Sequence, residues 1–169
     1  SSPRLHFRQF TDQDLDSVFY GLSHPDIIRY YGISYDSLEA TKGQLGWYAG
    51  LERSGTGRWW AICDAESGEF IGAGGFSEWS TVHRKAEIGF WLLPEYWGKG
   101  YMQEAMPVIC QHGFEEMGLH RIEGFVEPAN TNCKKAISRL QFVHEGTMRD
   151  CEVKDGAFIS LDIYAKFKP

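Results

Sequence analysis

The stretch Ala86–Met106, AEIGFWLLPEYWGKGYMQEAM, limits the folds open to this chain more than any other. Ala86 to Leu93 is apolar and aromatic apart from Glu87, and Pro94 stops it, the pattern of a buried strand. Past Gly100, residues Tyr101, Met102, Ala105, Met106, Ile109, Phe114 and Met117 recur as one face of a helix. Between strand and helix stands Trp97-Gly98-Lys99-Gly100-Tyr101. Alternating glycines let the backbone take positive φ and approach a ligand closely. The helix start adds unpaired N–H groups and the positive end of the macrodipole, a site suited to phosphate. Many tight turns use Gly-x-Gly, but strand, proline, double glycine and amphipathic helix in that order are far rarer.

The rest of the chain divides by the same signals. Arg4–Phe10 reads as a strand, and Thr11 or Asp12 caps a helix that buries Leu15, Val18, Phe19 and Leu22. A short helical segment carries Ile27, Ile28, Tyr30 and Tyr31 and ends near Gly32. Ser37–Arg53 is a further helix, with Leu38, Leu45, Trp47 or Tyr48, and Leu51 expected inward. Arg58–Cys63 and Glu69–Trp79 form a hairpin about Asp64–Gly68. Gly118 is a C-cap candidate for the helix after Gly100, and Pro107 inside it predicts a bend. His120–Glu127 is a strand, Asn130–Leu140 a short helix, and a last hairpin, Val143–Glu152 with Ala157–Phe167, turns at Lys154-Asp155-Gly156. No repeat, low-complexity tract or linker interrupts the 169 residues, so one domain, 1–169, is expected.

Composition excludes several function classes. A net charge of −6 is wrong for a general nucleic-acid binder and right for attracting cationic substrates. Cys63, Cys110, Cys133 and Cys151 are widely spaced without Cys-x-x-Cys, which reads as reduced thiols in a cytoplasmic protein. Six histidines without a His-x-x-x-His pair give no expected metal site. There is no bilayer-length apolar run and no signal-peptide pattern, and Ser1-Ser2 reads as a processing remnant.

Glu95-Tyr96-Trp97-Gly98-Lys99-Gly100 resembles the pyrophosphate signature Gln/Arg-x-x-Gly-x-Gly/Ala of the GCN5-related N-acetyltransferases (GNAT), with Glu95 in place of Gln or Arg. Asn130-Thr131-Asn132-Cys133 followed by Leu140-Gln141-Phe142 resembles a second family element, Asn-x-x-Ser…Leu-Gly-Phe, with Cys133 for Ser and Gln141 for Gly. The likeness spans nearly the whole chain and is strongest to the branch of ribosomal-protein N-terminal acetyltransferases. It implies an α/β (α+β) GNAT fold: a mixed, mostly antiparallel sheet of about seven strands, splayed at its middle and flanked by about four helices. It also implies acetyl-CoA as cosubstrate and an amine acceptor; with the charge and hydropathy above, no direct nucleic-acid partner, no membrane, and a monomer or homodimer are expected.

By that resemblance, backbone groups of Gly98, Lys99, Gly100, Tyr101 and Met102, beside Trp97, hold the pyrophosphate. Trp91, Leu92 and Leu93 pair with the pantetheine arm, which Asn130 helps position. Lys99 reads equally as a solvated lysine, and Asn130 equally as a plain N-cap. Tyr30 and Tyr31 are chosen for the acceptor wall, with Trp47, Trp59, Trp60 and Trp79 as further aromatic candidates. Glu87 is the candidate general base, because a carboxylate in an apolar strand must be paired, hydrated or functional. The competing reading pairs it with Arg84 or Lys85. Cys133 is the candidate proton donor to the leaving thiolate, and equally a packed thiol at a helix start. The acceptor expected is a protein or peptide α-amine; the alternatives are a small-molecule amine or a non-catalytic acyl-CoA-binding module.

Overall fold

A computed structural model describes residues 3–169, so Ser1 and Ser2 and the reading placed on them lie outside it. In chain order the elements are β1 Leu5–Arg8, α1 Leu15–Ser23, α2 Pro25–Ile28, α3 Leu38–Ser54, β2 Arg58–Asp64, β3 Phe70–Ser80, β4 Lys85–Leu92, α4 Tyr101–Glu115, β5 Arg121–Val126, α5 Thr131–Arg139, β6 Val143–Lys154 and β7 Ala157–Phe167. The strands form one sheet in the order β1-β2-β3-β4-β5-β7-β6. Every neighbouring pair is antiparallel except β4 and β5.

That parallel pair sets up the site. β4 and β5 are joined only through Lys85↔Arg121, Ala86↔Ile122 and Glu87↔Glu123. Past Glu87 the two strands part, although β4 continues to Leu92 and β5 to Val126. The sheet is therefore mixed, mostly antiparallel and split at its middle, as the family likeness implied.

Both faces of β4 are covered, which explains its nearly continuous apolar sequence. Ala86, Ile88 and Leu92 enter a core with Met106, Ile109 and Ile137 beneath α4 and α5. Trp91 and Leu93 enter a second core with Val18, Leu22, Tyr48 and Trp59 beneath α1 and α3. The two-residue period of a strand puts Glu87 on the Trp91 side, facing α1–α3.

Local chemistry fixes the ends of these elements. Thr11 and Asp14 form a capping box ahead of α1, and Asp14 also takes two 2.8 Å bonds from the Arg8 guanidinium. The Ser37 hydroxyl accepts from Ala40 N–H and starts α3. That start sets the helix phase, so Thr41, Gln44, Tyr48 and Leu51 turn inward. Of the alternatives Trp47 and Tyr48 it is Tyr48 that faces inward, while Leu38, expected inward, is 43% exposed and two polar residues join the buried stripe. Gln44 is tied there by a 2.7 Å bond from the Tyr35 hydroxyl. α4 runs unbroken through Pro107, which lies on its exposed side, and Gly118 at φ +68° turns the chain out of it. Asp155 and Gly156, both at positive φ, close the last hairpin as a two-residue loop.

Candidate active site

The turn between β4 and α4 is made by backbone conformation. Gly98 and Gly100 have φ of +73° and +81°, where a side chain is strained, although a Cβ at Gly98 would meet nothing within 4 Å. Glu104 N–H makes the first helical bond, to the Gly100 carbonyl at 3.1 Å. The amides from Gly98 through Gln103 have no acceptor among the described residues, and Gly100 offers no side-chain cap. This is a row of outward donors at the positive end of a 15-residue helix. Trp97, 45% exposed, anchors the turn by donating its indole N–H to the Leu92 carbonyl at 2.9 Å. Arg4, just before β1, braces it, donating to the Lys99 carbonyl at 3.1 Å and lying 4.2 Å from the Tyr101 ring centre.

Next to the turn, the edge of β4 beyond Glu87 faces the split with no strand partner. The side chains of Trp91, Leu92 and Leu93 are buried, so only their backbone is open to a ligand. α5 borders the same split. Gln103 of α4 donates to the Ala136 carbonyl at 3.2 Å, which ties the start of α4 to α5, the helix that carries Cys133 and is capped by Asn130.

Glu87 sits at the apex of the split, the last residue of β4 paired to β5. Both cations expected to neutralise it are engaged elsewhere: Arg84 donates to the Gly118 carbonyl and Lys85 pairs with Glu123. No ion pair to Glu87 exists among the described residues. Burial pushes its carboxyl up to about 7, and the charges of Glu78, Glu152 and Glu123 push the same way. A carboxylate held at that value is suited to accept a proton near neutral pH.

The sequence profile of the acetyltransferase (GNAT) domain matches residues 4–143. The chain belongs to the GNAT family. It is similar along 98% of its length to the uncharacterised N-acetyltransferase YoaA of Bacillus subtilis, 32% identical over 167 residues, which are 94% of that protein. Two solved structures share its fold. The ribosomal-protein α-N-acetyltransferase RimL, held with coenzyme A as a disulfide to one of its own cysteines, superposes with a TM-score of 0.87 at 19% identity, covering 98% of this chain and 95% of that one. The spermidine N-acetyltransferase of Vibrio cholerae, with coenzyme A and spermine, gives 0.86 at 21% identity over 97% and 95%. The chain is thus an acetyl-CoA-dependent N-acetyltransferase, with relatives in the ribosomal-protein branch.

In this GNAT enzyme the remaining site candidates fall into two groups. On the cofactor side, Asn130 caps α5, its Oδ1 accepting from Cys133 N–H at 3.2 Å. Cys133 is half-buried, and desolvation pushes its thiol up to about 11. Lys99 is exposed, 5.9 Å from the Tyr96 ring. On the acceptor side, Tyr31 is half-buried and its hydroxyl is pushed well above the usual phenol range by burial, then by Tyr48 and the Glu87 charge. Tyr30, next in the same loop, is also half-buried, with the Arg29 guanidinium 5.2 Å from its ring. The other aromatic candidates separate. The Trp59 ring occupies the space that a side chain at residue 89 would need, Trp47 packs on it 6.0 Å away, and Trp60 and Trp79 pack in the α4-side core.

Sequence reasoning missed the ring of acid around Glu87. Glu78, Glu123 and Glu152 come from β3, β5 and β6, and only strand pairing brings them together. It also missed the brace from Arg4.

Proposed function

We propose that this chain works as a single cytoplasmic acetyltransferase domain that acetylates the α-amine of a protein or peptide N-terminus, with Glu87 as general base. The observation that carries the reading is an unpaired carboxylate held at about 7 where the sheet opens. An α-ammonium has a pKa near 8, so passing its proton to Glu87 is uphill by only about 1.4 kcal/mol. A lysine-type ammonium near 10.4 would require about 4.6 kcal/mol.

The fit to acetyl-CoA rests on the row of partnerless amides from Gly98 to Gln103, which suits a diphosphate. In this reading the open edge at Trp91–Leu93 takes the pantetheine arm and Asn130 helps align it. Bound acetyl-CoA supplies an acetyl group activated as a thioester. Glu87 takes the proton of the amine, directly or through water, and releases it to solvent. Cys133, kept protonated by burial, holds a proton at Sγ for the departing sulfur. That same protonation makes it a poor nucleophile, which favours direct transfer over an acetyl-cysteine route.

A second acceptor class, small polycationic amines, is favoured by Glu78, Glu123 and Glu152 around the base. Free-thiol release from acetyl-CoA over a panel of peptides and small amines tests the choice. Faster release with peptides bearing a free N-terminus supports the proposal. Faster release with spermidine replaces it, and coenzyme A binding without turnover on any amine would leave only a binding module.

A further inference from the structure

The loop that carries Tyr30 and Tyr31 belongs to the α1–α3 half of the molecule, yet one bond ties it to the opposite half of the sheet. Lys154, the last residue of β6, donates its ammonium to the Arg29 carbonyl at 2.7 Å and lies 2.8 Å from a Glu127 carboxylate oxygen. Neither charge of that pair is well exposed; the Lys154 and Glu127 side chains are 19% and 15% accessible. Among the described residues this is the only hydrogen bond between residues 29–36 and the β5–β7 half. The loop's other ties, Arg29 N–H to Pro25, Tyr31 N–H to Ile28, Tyr35 N–H to Leu22 and the Tyr35 hydroxyl to Gln44, all stay within its own half.

Lys154 is also placed to act on the base side. Glu152 lies two residues earlier in β6, and regular pairing of Glu152, Val153 and Lys154 with Ile159, Phe158 and Ala157 puts Glu152 and Lys154 on one face. Val153, between them, is 65% exposed on the other face. The ammonium therefore connects the strand that brings Glu152 toward Glu87 with the loop that brings Tyr31 toward Glu87. The two-residue Asp155-Gly156 turn directly after it fixes where the side chain begins.

We infer that Lys154 is a positioning residue for the acceptor, a cross-cleft tie that holds the Tyr30–Tyr31 wall against the β6–β7 hairpin. The inference rests on the acetyl-transfer reading above and on these walls enclosing the acceptor. Its ammonium touches neither the cofactor turn nor the reacting groups, so its effect falls on acceptor binding. Replacing it alone would strand Glu127 as a half-buried unpaired carboxylate, which destabilises by a separate route. The double variant Lys154→Met with Glu127→Gln removes the tie without leaving that charge.

The test combines steady-state kinetics, using a peptide with an N-terminal serine and, separately, spermidine, with hydrogen exchange on the same 169-residue chain. For the double variant the expected result is an acceptor KM raised about tenfold, with kcat and the acetyl-CoA KM within about twofold of wild type. Amide exchange across residues 29–35 speeds up about tenfold while that in α4 is unchanged. Lys154→Arg, which keeps the charge and a donor, restores most of the acceptor affinity. An unchanged acceptor KM overturns the inference, even if exchange in the loop rises, because the tie is then structural only. A kcat loss equal to the KM change also overturns it. No amine-dependent thiol release by the wild type would instead overturn the acetyl-transfer reading itself.

Discussion

Glu87 shows how the proton affinity of a single side chain is set by what is kept away from it. Its two sequence neighbours with positive charge face other partners, and three further glutamates add repulsion. A raised carboxyl has a definite sign in stability. Below the ordinary glutamate range it is protonated in both folded and unfolded chains and costs nothing. From the ordinary value of 4.5 up to about 7 the unfolded chain ionises this carboxyl while the folded protein keeps it protonated, so stability falls across that window and the loss is complete above about 7. Glu87→Gln should therefore raise the melting temperature at pH 8 and leave it unchanged at pH 4. The gain is at most about 3 kcal/mol, and smaller because the side chain is partly solvated. The same substitution should lower kcat about 100- to 10,000-fold and abolish the fall in rate below pH 7, while coenzyme A still binds. A variant as fast as wild type at every pH would remove Glu87 from the mechanism.

At the scale of elements, the readable features are those encoded by neighbours in sequence. Pro94, Gly98 and Gly100 declare a strand-to-helix turn because proline and positive-φ glycine act locally. Asn130 as a cap and Asp155-Gly156 as a hairpin are legible for the same reason. The buried face of α3 was not: Thr41 and Gln44 are polar, and Gln44 is held by the bond its Oε1 accepts from Tyr35, nine residues earlier, while its buried amide nitrogen has no partner among the described residues. The packing of α1 on β4 was also hidden, since nothing near Gly21 in sequence announces Trp91. A Cβ on Gly21 would overlap the buried Trp91 ring, and α1 cannot shift without opening the core of Val18 and Leu22. Gly21→Ala should accordingly cost about 1–3 kcal/mol in denaturant unfolding. Wild-type stability in that variant would mean that the ring is free to move.

The whole molecule is where the site comes into being. β4 carries both Glu87, the proposed base, and the open edge, but only its parting from β5 after Glu87 creates room between them. The acids about Glu87, the Arg4 brace and the Lys154 tie join residues from 27 to 125 positions apart, or from separate strands, and no local pattern foretells them. The family's fold and the glycine turn ahead of α4 could be read from the chain, whereas the electrostatic setting of Glu87 could not. Calorimetric titration of coenzyme A into wild type and Gly98→Glu is the most direct test of the central claim, that partnerless amides at the start of α4 hold the diphosphate. Space around Gly98 is open, so the variant should fold with a loss of about 1 kcal/mol from the positive φ, while its affinity falls about 100-fold. Equal affinity in a folded Gly98→Glu protein would contradict the account.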